Sequence, residues 1–129
     1  MGKRARDEPL RGTGVLVAED DYFVATEVRR TLERIGAYPI GPVATVDRAR
    51  KLVDDELVRA AILDINLRGA KVFDIADALK SSGIPFVFMT GYEPDMVPAR
   101  FGDVPRFRKP CDGITVVDGL SSFVGKRLN

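Results

Sequence analysis

The chain alternates short apolar runs with longer segments in which apolar residues recur every three or four positions. An unbroken apolar run of about four to eight residues predicts a buried strand, and the second spacing predicts an amphipathic helix. Runs of this kind predict strands over residues 15–18, 59–65 and 85–89, and weaker patterns predict a short, irregular strand over residues 38–43 and a poor one over residues 104–108. The predicted helices are residues 21–35, 45–57, 72–79 and 112–128.

Residues 93–103 would form a further helix by their position, but they contain Pro94, Pro98 and Gly102. Prolines inside a helix remove hydrogen bonds and disfavour more than about two regular turns. We therefore expect a short or irregular fourth helix at this place. Strands that alternate with helices predict an α/β fold, here a doubly wound five-stranded parallel sheet with the flavodoxin-like strand order 2-1-3-4-5.

Residues 1–13 lack apolar periodicity and combine basic and acidic side chains with Pro9 and Gly12. A segment of this composition buries too little apolar surface to order itself. The predicted organisation is a flexible N-terminal arm over residues 1–13, followed by one domain over residues 14–129.

Composition excludes several classes of function. With one cysteine and no histidine among 129 residues, the chain can form no internal disulfide and no histidine-based triad. It also has almost none of the side chains that usually bind zinc. The formal net charge of +1 gives no overall field that would favour nucleic acid or a membrane as the main partner. No run approaches the roughly 20 apolar residues of a membrane span, and no secretory signal is present, so we expect a cytoplasmic protein.

Polar side chains follow the predicted strands at their carboxyl ends. Glu19 and Asp20 follow the first strand and Asp64 the third, which are neighbours in the predicted order. Three carboxylates in one crevice repel each other unless a cation joins them. Since no histidine or suitably placed thiol is available, oxygen ligands favour Mg²⁺ or Mn²⁺.

The fourth strand ends in a hydroxyl group, Thr90, and the fifth ends in an ammonium group, Lys109. A hard metal and a lysine can neutralise the oxygens of a transferred phosphoryl group, and a free carboxylate can attack its phosphorus atom. Asp64 is the best candidate for this nucleophile. Taken singly, each residue has a simpler explanation, because acids are common at turns and helix starts and lysines are common on surfaces.

These residues resemble the receiver domains of two-component response regulators, over residues 15–128. Glu19-Asp20 is similar to the acid pair of that family and Ile62-Leu63-Asp64 to its phospho-acceptor strand. Thr90 is similar to its switch hydroxyl, and Lys109-Pro110 to its Lys-Pro pair, whose peptide bond is typically cis.

The resemblance implies a role for each residue. Asp64 would accept a phosphoryl group from the phosphohistidine of a partner kinase. Mg²⁺ would be held by Asp20, Asp64 and the backbone carbonyl of Asn66, and by Glu19 mostly through water. Thr90 and Lys109 would contact phosphoryl oxygens, and Phe107 would be an aromatic switch that rotates together with Thr90. The alternative for Phe107 is a partly packed aromatic side chain.

Residues 85–92 also resemble the PFxFATGY signature of a receiver subgroup that often stands alone and pairs with sensor histidine kinases of the HWE or related class, although Met89 replaces the usual Ala. The predicted function is phosphorylation-dependent protein contact with an unknown downstream protein, or a phosphate sink, rather than enzyme activity. Because the chain ends one helix after Lys109, we expect no direct DNA binding. The alternative is a small flavodoxin-like enzyme, either an aspartate-based phosphatase or a flavin carrier.

Overall fold

The computed structural model describes residues 9–54, 57–91 and 97–128. Its strands are β1 (Gly14–Ala18), β2 (Tyr38–Val43), β3 (Ala60–Asp64), β4 (Asn66–Leu67), β5 (Ala70–Lys71), β6 (Phe86–Thr90) and β7 (Arg106–Arg108). Its helices are α1 (Tyr22–Arg34), α2 (Val46–Val53), α3 (Phe73–Ser81) and α4 (Gly113–Leu128).

Five of these strands form one parallel sheet in the order β2-β1-β3-β6-β7. The short strands β4 and β5 form a separate antiparallel hairpin. When the hairpin is set aside, the order of the sheet is 2-1-3-4-5, so the predicted fold class is confirmed.

Side chains of the central strands alternate between two apolar layers, because successive residues of a strand point to opposite faces. One layer is formed with α2 and α3, and the sheet contributes to it Leu16, Ala18, Ala61, Leu63, Phe86 and Phe88. The other is formed with α1 and α4, and the sheet contributes to it Val15, Val17, Ala60, Ile62, Val87 and Met89. Each face of the sheet is therefore covered by a pair of helices.

Helix α1 has the limits that the sequence predicts. The Asp21 side chain accepts hydrogen bonds from the backbone N–H groups of Phe23 and Val24, which caps the helix start. Gly36 follows the helix with φ of +86°, a conformation that glycine adopts without steric cost. In this way α1 begins directly after the acid pair at the end of β1.

Residues 97–104 contain one 3₁₀ turn, Ala99–Phe101, and no regular helix. Phe101 is fully buried, and its ring lies 5.7 Å from the Phe88 ring and 5.9 Å from the Phe73 ring. The Arg100 guanidinium also donates two hydrogen bonds to the Asp77 carboxylate of α3, at 2.7 and 3.0 Å. The expectation of a short or irregular fourth helix is confirmed, although residues 92–96 of that segment lie outside the described residues.

Part of the predicted N-terminal arm packs on the domain. Leu10 is fully buried in the layer of α1 and α4. The backbone N–H of Gly12 donates to the carbonyl of Gly36, and the Thr13 hydroxyl donates to the carbonyl of Pro9. The expected flexibility therefore does not apply to residues 9–13, because one apolar side chain fixes them, while residues 1–8 lie outside the described residues.

No helix in the described part of the chain is long and apolar enough to cross a membrane.

Candidate functional site

Three carboxylates meet at the carboxyl edge of the sheet. The register that pairs Ala18 of β1 with Leu63 of β3 places the next residues, Glu19 and Asp64, side by side. Both are buried, with 2% and 5% of their surface exposed, whereas Asp20 is exposed. One oxygen atom from each of the three carboxylates lies within 4.8 Å of the others. The predicted convergence of these acids is present in the structure.

The Lys109 ammonium group bridges the two buried carboxylates. Its Nζ atom lies 2.7 Å from Glu19 Oε1 and 2.9 Å from Asp64 Oδ2. The backbone N–H of Lys109 donates to the Thr90 carbonyl, which fixes the lysine at the end of β6. The Lys109–Pro110 peptide bond is cis.

Burial of the Glu19 carboxyl raises its pKa to about 8, and the negative charge of Asp64 adds to this increase, while contacts with Lys109 and the N–H of Asp21 oppose it. Burial by itself would lower the pKa of Lys109, but its two carboxylate partners outweigh this effect and raise that pKa above its ordinary value. The ammonium group is therefore charged at neutral pH, and the site favours additional positive charge.

The residues of the site fit a divalent cation. Three carboxylates face one ammonium group, so two positive charges are missing when all three are ionised. Glu19 Oε1 is also buried, and its 2.7 Å contact with the Lys109 ammonium is an ion pair outside regular hydrogen-bond geometry. Mg²⁺ and Mn²⁺ take oxygen ligands, which is the type of ligand atom that these three carboxylates offer.

Thr90 and Phe107 lie on neighbouring strands but on opposite faces of the sheet. Thr90 ends β6 and is 8% exposed, and strand alternation puts it on the face of Phe88, toward α2 and α3. Phe107 packs in the other layer, with its ring against Gly119 of α4. The structure therefore does not bring Phe107 to Thr90 and agrees with the alternative of a packed aromatic. The expected position of Phe107 is wrong by one residue: Phe107 pairs with Met89 rather than with Thr90, and a shift of one residue along a strand exchanges the two faces of the sheet.

Backbone groups of the β4–β5 hairpin complete the site. The N–H of Asn66 donates to Asp64 Oδ1 at 3.2 Å, and the N–H of Arg68 donates to Asp20 Oδ2 at 2.9 Å. The contact of Arg68 with an acid 48 positions earlier has no signal in the sequence, and a two-residue turn ending in glycine is only a weak indication of a hairpin.

No protein-family model and no curated protein matches the sequence. Solved structures do match. The solution structure of SdrG from Sphingomonas melonis Fr1 is 39% identical, with 84% of this chain and 95% of that chain covered and a TM-score of 0.73. The chain belongs to the response regulator receiver domains.

Two further structures are similar to this chain. The BeF3-activated conformation of SdrG from Pseudomonas melonis Fr1 is 38% identical, with 92% of this chain and 98% of that chain covered and a TM-score of 0.68. A CheY-like receiver domain protein from Methanospirillum hungatei JF-1 is 20% identical, with 92% and 100% covered and a TM-score of 0.74, and it supports the fold alone.

Proposed function

We propose that this receiver domain accepts a phosphoryl group on Asp64 from a sensor histidine kinase and then binds a downstream protein or serves as a phosphate sink. The observation that carries the proposal is the set of charges around Asp64. This carboxylate lies 2.9 Å from the Lys109 ammonium and close to the Glu19 and Asp20 carboxylates.

In the proposed reaction an Asp64 oxygen attacks the phosphorus atom of the donor. A new O–P bond forms and the P–N bond to the donor histidine breaks, so the imidazole leaves with its electron pair and takes a proton. Lys109 neutralises charge on the phosphoryl oxygens, and it also holds Asp64 at the edge of the sheet.

A divalent cation, Mg²⁺ or Mn²⁺, would supply the remaining positive charge. Asp20 and Asp64 are the proposed ligands, with the Asn66 carbonyl beside them and Glu19 through water. Thr90, at the end of the neighbouring strand, is the proposed hydroxyl donor to a phosphoryl oxygen. Addition of about 1.5 to 2 negative charges then changes the contacts that this edge of the sheet makes.

SdrG has been solved in a BeF3-activated conformation, and we propose that BeF3⁻ with Mg²⁺ also activates this chain. The kinase is proposed to be of the HWE or related class, from the resemblance of residues 85–92 to the PFxFATGY signature.

The test is incubation with acetyl phosphate and Mg²⁺ followed by intact-mass measurement. We expect wild type to gain one phosphoryl group that hydroxylamine removes. Asp64→Asn should gain none, while Asp74→Asn, which changes an exposed acid in the first turn of α3, should behave as wild type. An unmodified wild type, or equal gain in Asp64→Asn, would refute the proposal.

A further inference from the structure

The turn of the β4–β5 hairpin has an unusual backbone conformation. Arg68 and Gly69 both have positive φ, +50° and +86°, which is typical of a two-residue type I′ hairpin turn. In the described ranges Arg68 is the one residue other than glycine with positive φ. Such a conformation costs a non-glycine residue about 1–2 kcal/mol, so surrounding contacts must hold it.

Those contacts tie the hairpin to the domain at its base. Leu67 is 1% exposed and packs in the layer of α2 and α3. The N–H of Ile65 donates to the Met89 carbonyl, and the N–H of Val72 donates to the Ile65 carbonyl, so both ends of the hairpin are closed. The turn itself, residues 68–69, is exposed and lies beside Asp20, which follows β1 at the carboxyl edge of the sheet.

At that edge the N–H of Arg68 donates to Asp20 Oδ2 at 2.9 Å. Asp20 is the exposed member of the three carboxylates, and among residues 9–54, 57–91 and 97–128 it has no ammonium partner like the one that Lys109 gives to the two buried carboxylates. The contact engages one oxygen of Asp20 and restricts rotation of the carboxylate. A fixed carboxylate loses less conformational freedom when it binds a cation than a rotating one does.

We infer that the Arg68–Gly69 turn is a positioning element that orients Asp20 for a divalent cation through the backbone N–H of Arg68. The inference rests on the proposed function insofar as it takes Asp20 as a cation ligand. It requires the turn geometry rather than a side chain, because the donor is a backbone group. Cation affinity should therefore depend on whether residue 69 tolerates positive φ.

Gly69 offers a test without steric complications, since a Cβ atom at this position would meet nothing within 4 Å. Gly69→Ala adds backbone strain alone, and Gly69→Asn is the matched control because asparagine accepts left-handed conformations. Mg²⁺ affinity is measured by titration calorimetry on the unphosphorylated proteins, without any phosphoryl donor. We expect the Kd of Gly69→Ala to rise about fivefold, and that of Gly69→Asn to stay within about twofold of wild type.

A second measurement covers the case in which Gly69→Ala does not fold. In wild type and in Asp20→Ala, amide hydrogen exchange is followed at Arg68 and at Ile75 of α3. Loss of the carboxylate should speed exchange at Arg68 at least several-fold and leave Ile75 unchanged.

The outcomes separate the two proposals. Equal affinity of a folded Gly69→Ala and wild type, equal weakening in both Gly69 variants, or unchanged Arg68 exchange in Asp20→Ala would overturn the positioning role and leave the acceptor role of Asp64 intact. Absence of Mg²⁺ binding to wild type would overturn the cation site of the proposed function, and the positioning role with it.

Discussion

The ring of Phe107 occupies space that exists because residue 119 has no side chain. A Cβ atom on Gly119 would lie 2.0 Å from Phe107 Cζ and 2.7 Å from Cε2, well inside the roughly 3.5–4.0 Å of favourable carbon contacts. In Gly119→Ala the ring must therefore leave its present position.

Two opposing effects set the size of the change in stability. Overpacking of an ordered interior costs about 1–3 kcal/mol. Replacement of glycine by alanine inside a helix stabilises that helix by about 1 kcal/mol. We expect Gly119→Ala to lower the free energy of unfolding by about 0–2 kcal/mol, whereas in a Phe107→Ala background the same change should raise it by about 1 kcal/mol.

The assay is urea unfolding of the four proteins of this double-mutant cycle. The expected coupling energy is about 1–3 kcal/mol, and a value below about 0.5 kcal/mol would refute the shared space. Gly125→Ala is the control, because its Cβ atom would make an ordinary contact of 3.5 Å with Pro9. This control should not couple to Phe107. Since Phe107 faces away from Thr90, Phe107→Leu should also leave the extent of Asp64 phosphorylation unchanged.

Three further variants test packing and charge. Lys109→Met removes the cation between two buried carboxylates and should lower the free energy of unfolding by about 3 kcal/mol in urea; Mg²⁺ should restore part of this loss, and equal stability with and without Mg²⁺ would contradict the charge argument. Phe101→Ala should lower the free energy of unfolding in urea by about 3–5 kcal/mol, as for other fully buried aromatic residues. A decrease below about 1 kcal/mol would mean that the ring is not packed as described. Leu10→Ala should lower the free energy of unfolding by about 2–5 kcal/mol, while Arg11→Ala, at an exposed position, should change it by less than about 0.5 kcal/mol. Similar values for the two variants would show that residues 9–13 do not contribute to the core.

The sequence predicts the sheet and the charged site because both depend on strong, local patterns. Apolar runs that end on Asp64 and Thr90 place those residues at one edge once the strand order is known, and Lys109 follows a weaker strand signal at the same edge. The start of α1 is predictable for the same reason, since Asp21 caps the helix within its own turn.

Features that depend on one residue or on distant partners are not predictable in this way. Leu10 is a single apolar residue in a polar segment, so no periodicity reveals that it is buried. Phe107 stands in a strand of three residues, too short for alternation to fix its face. The contact of Arg68 with Asp20 joins two turns that become neighbours only after the sheet has formed.

Asp64 and Thr90 extend from neighbouring strands toward different layers of the protein. Alternation along β3 assigns Asp64 to the side of α1 and α4, and alternation along β6 assigns Thr90 to the side of α2 and α3. Along the rest of these strands the backbone separates the two layers, so the sheet side chains of one layer do not pack against those of the other. At the carboxyl edge that separation ends, because Asp64 pairs with Met89, the residue before Thr90. The phosphoryl group that we propose for Asp64 would therefore stand where the two layers meet, and its charge would act on both halves of the protein.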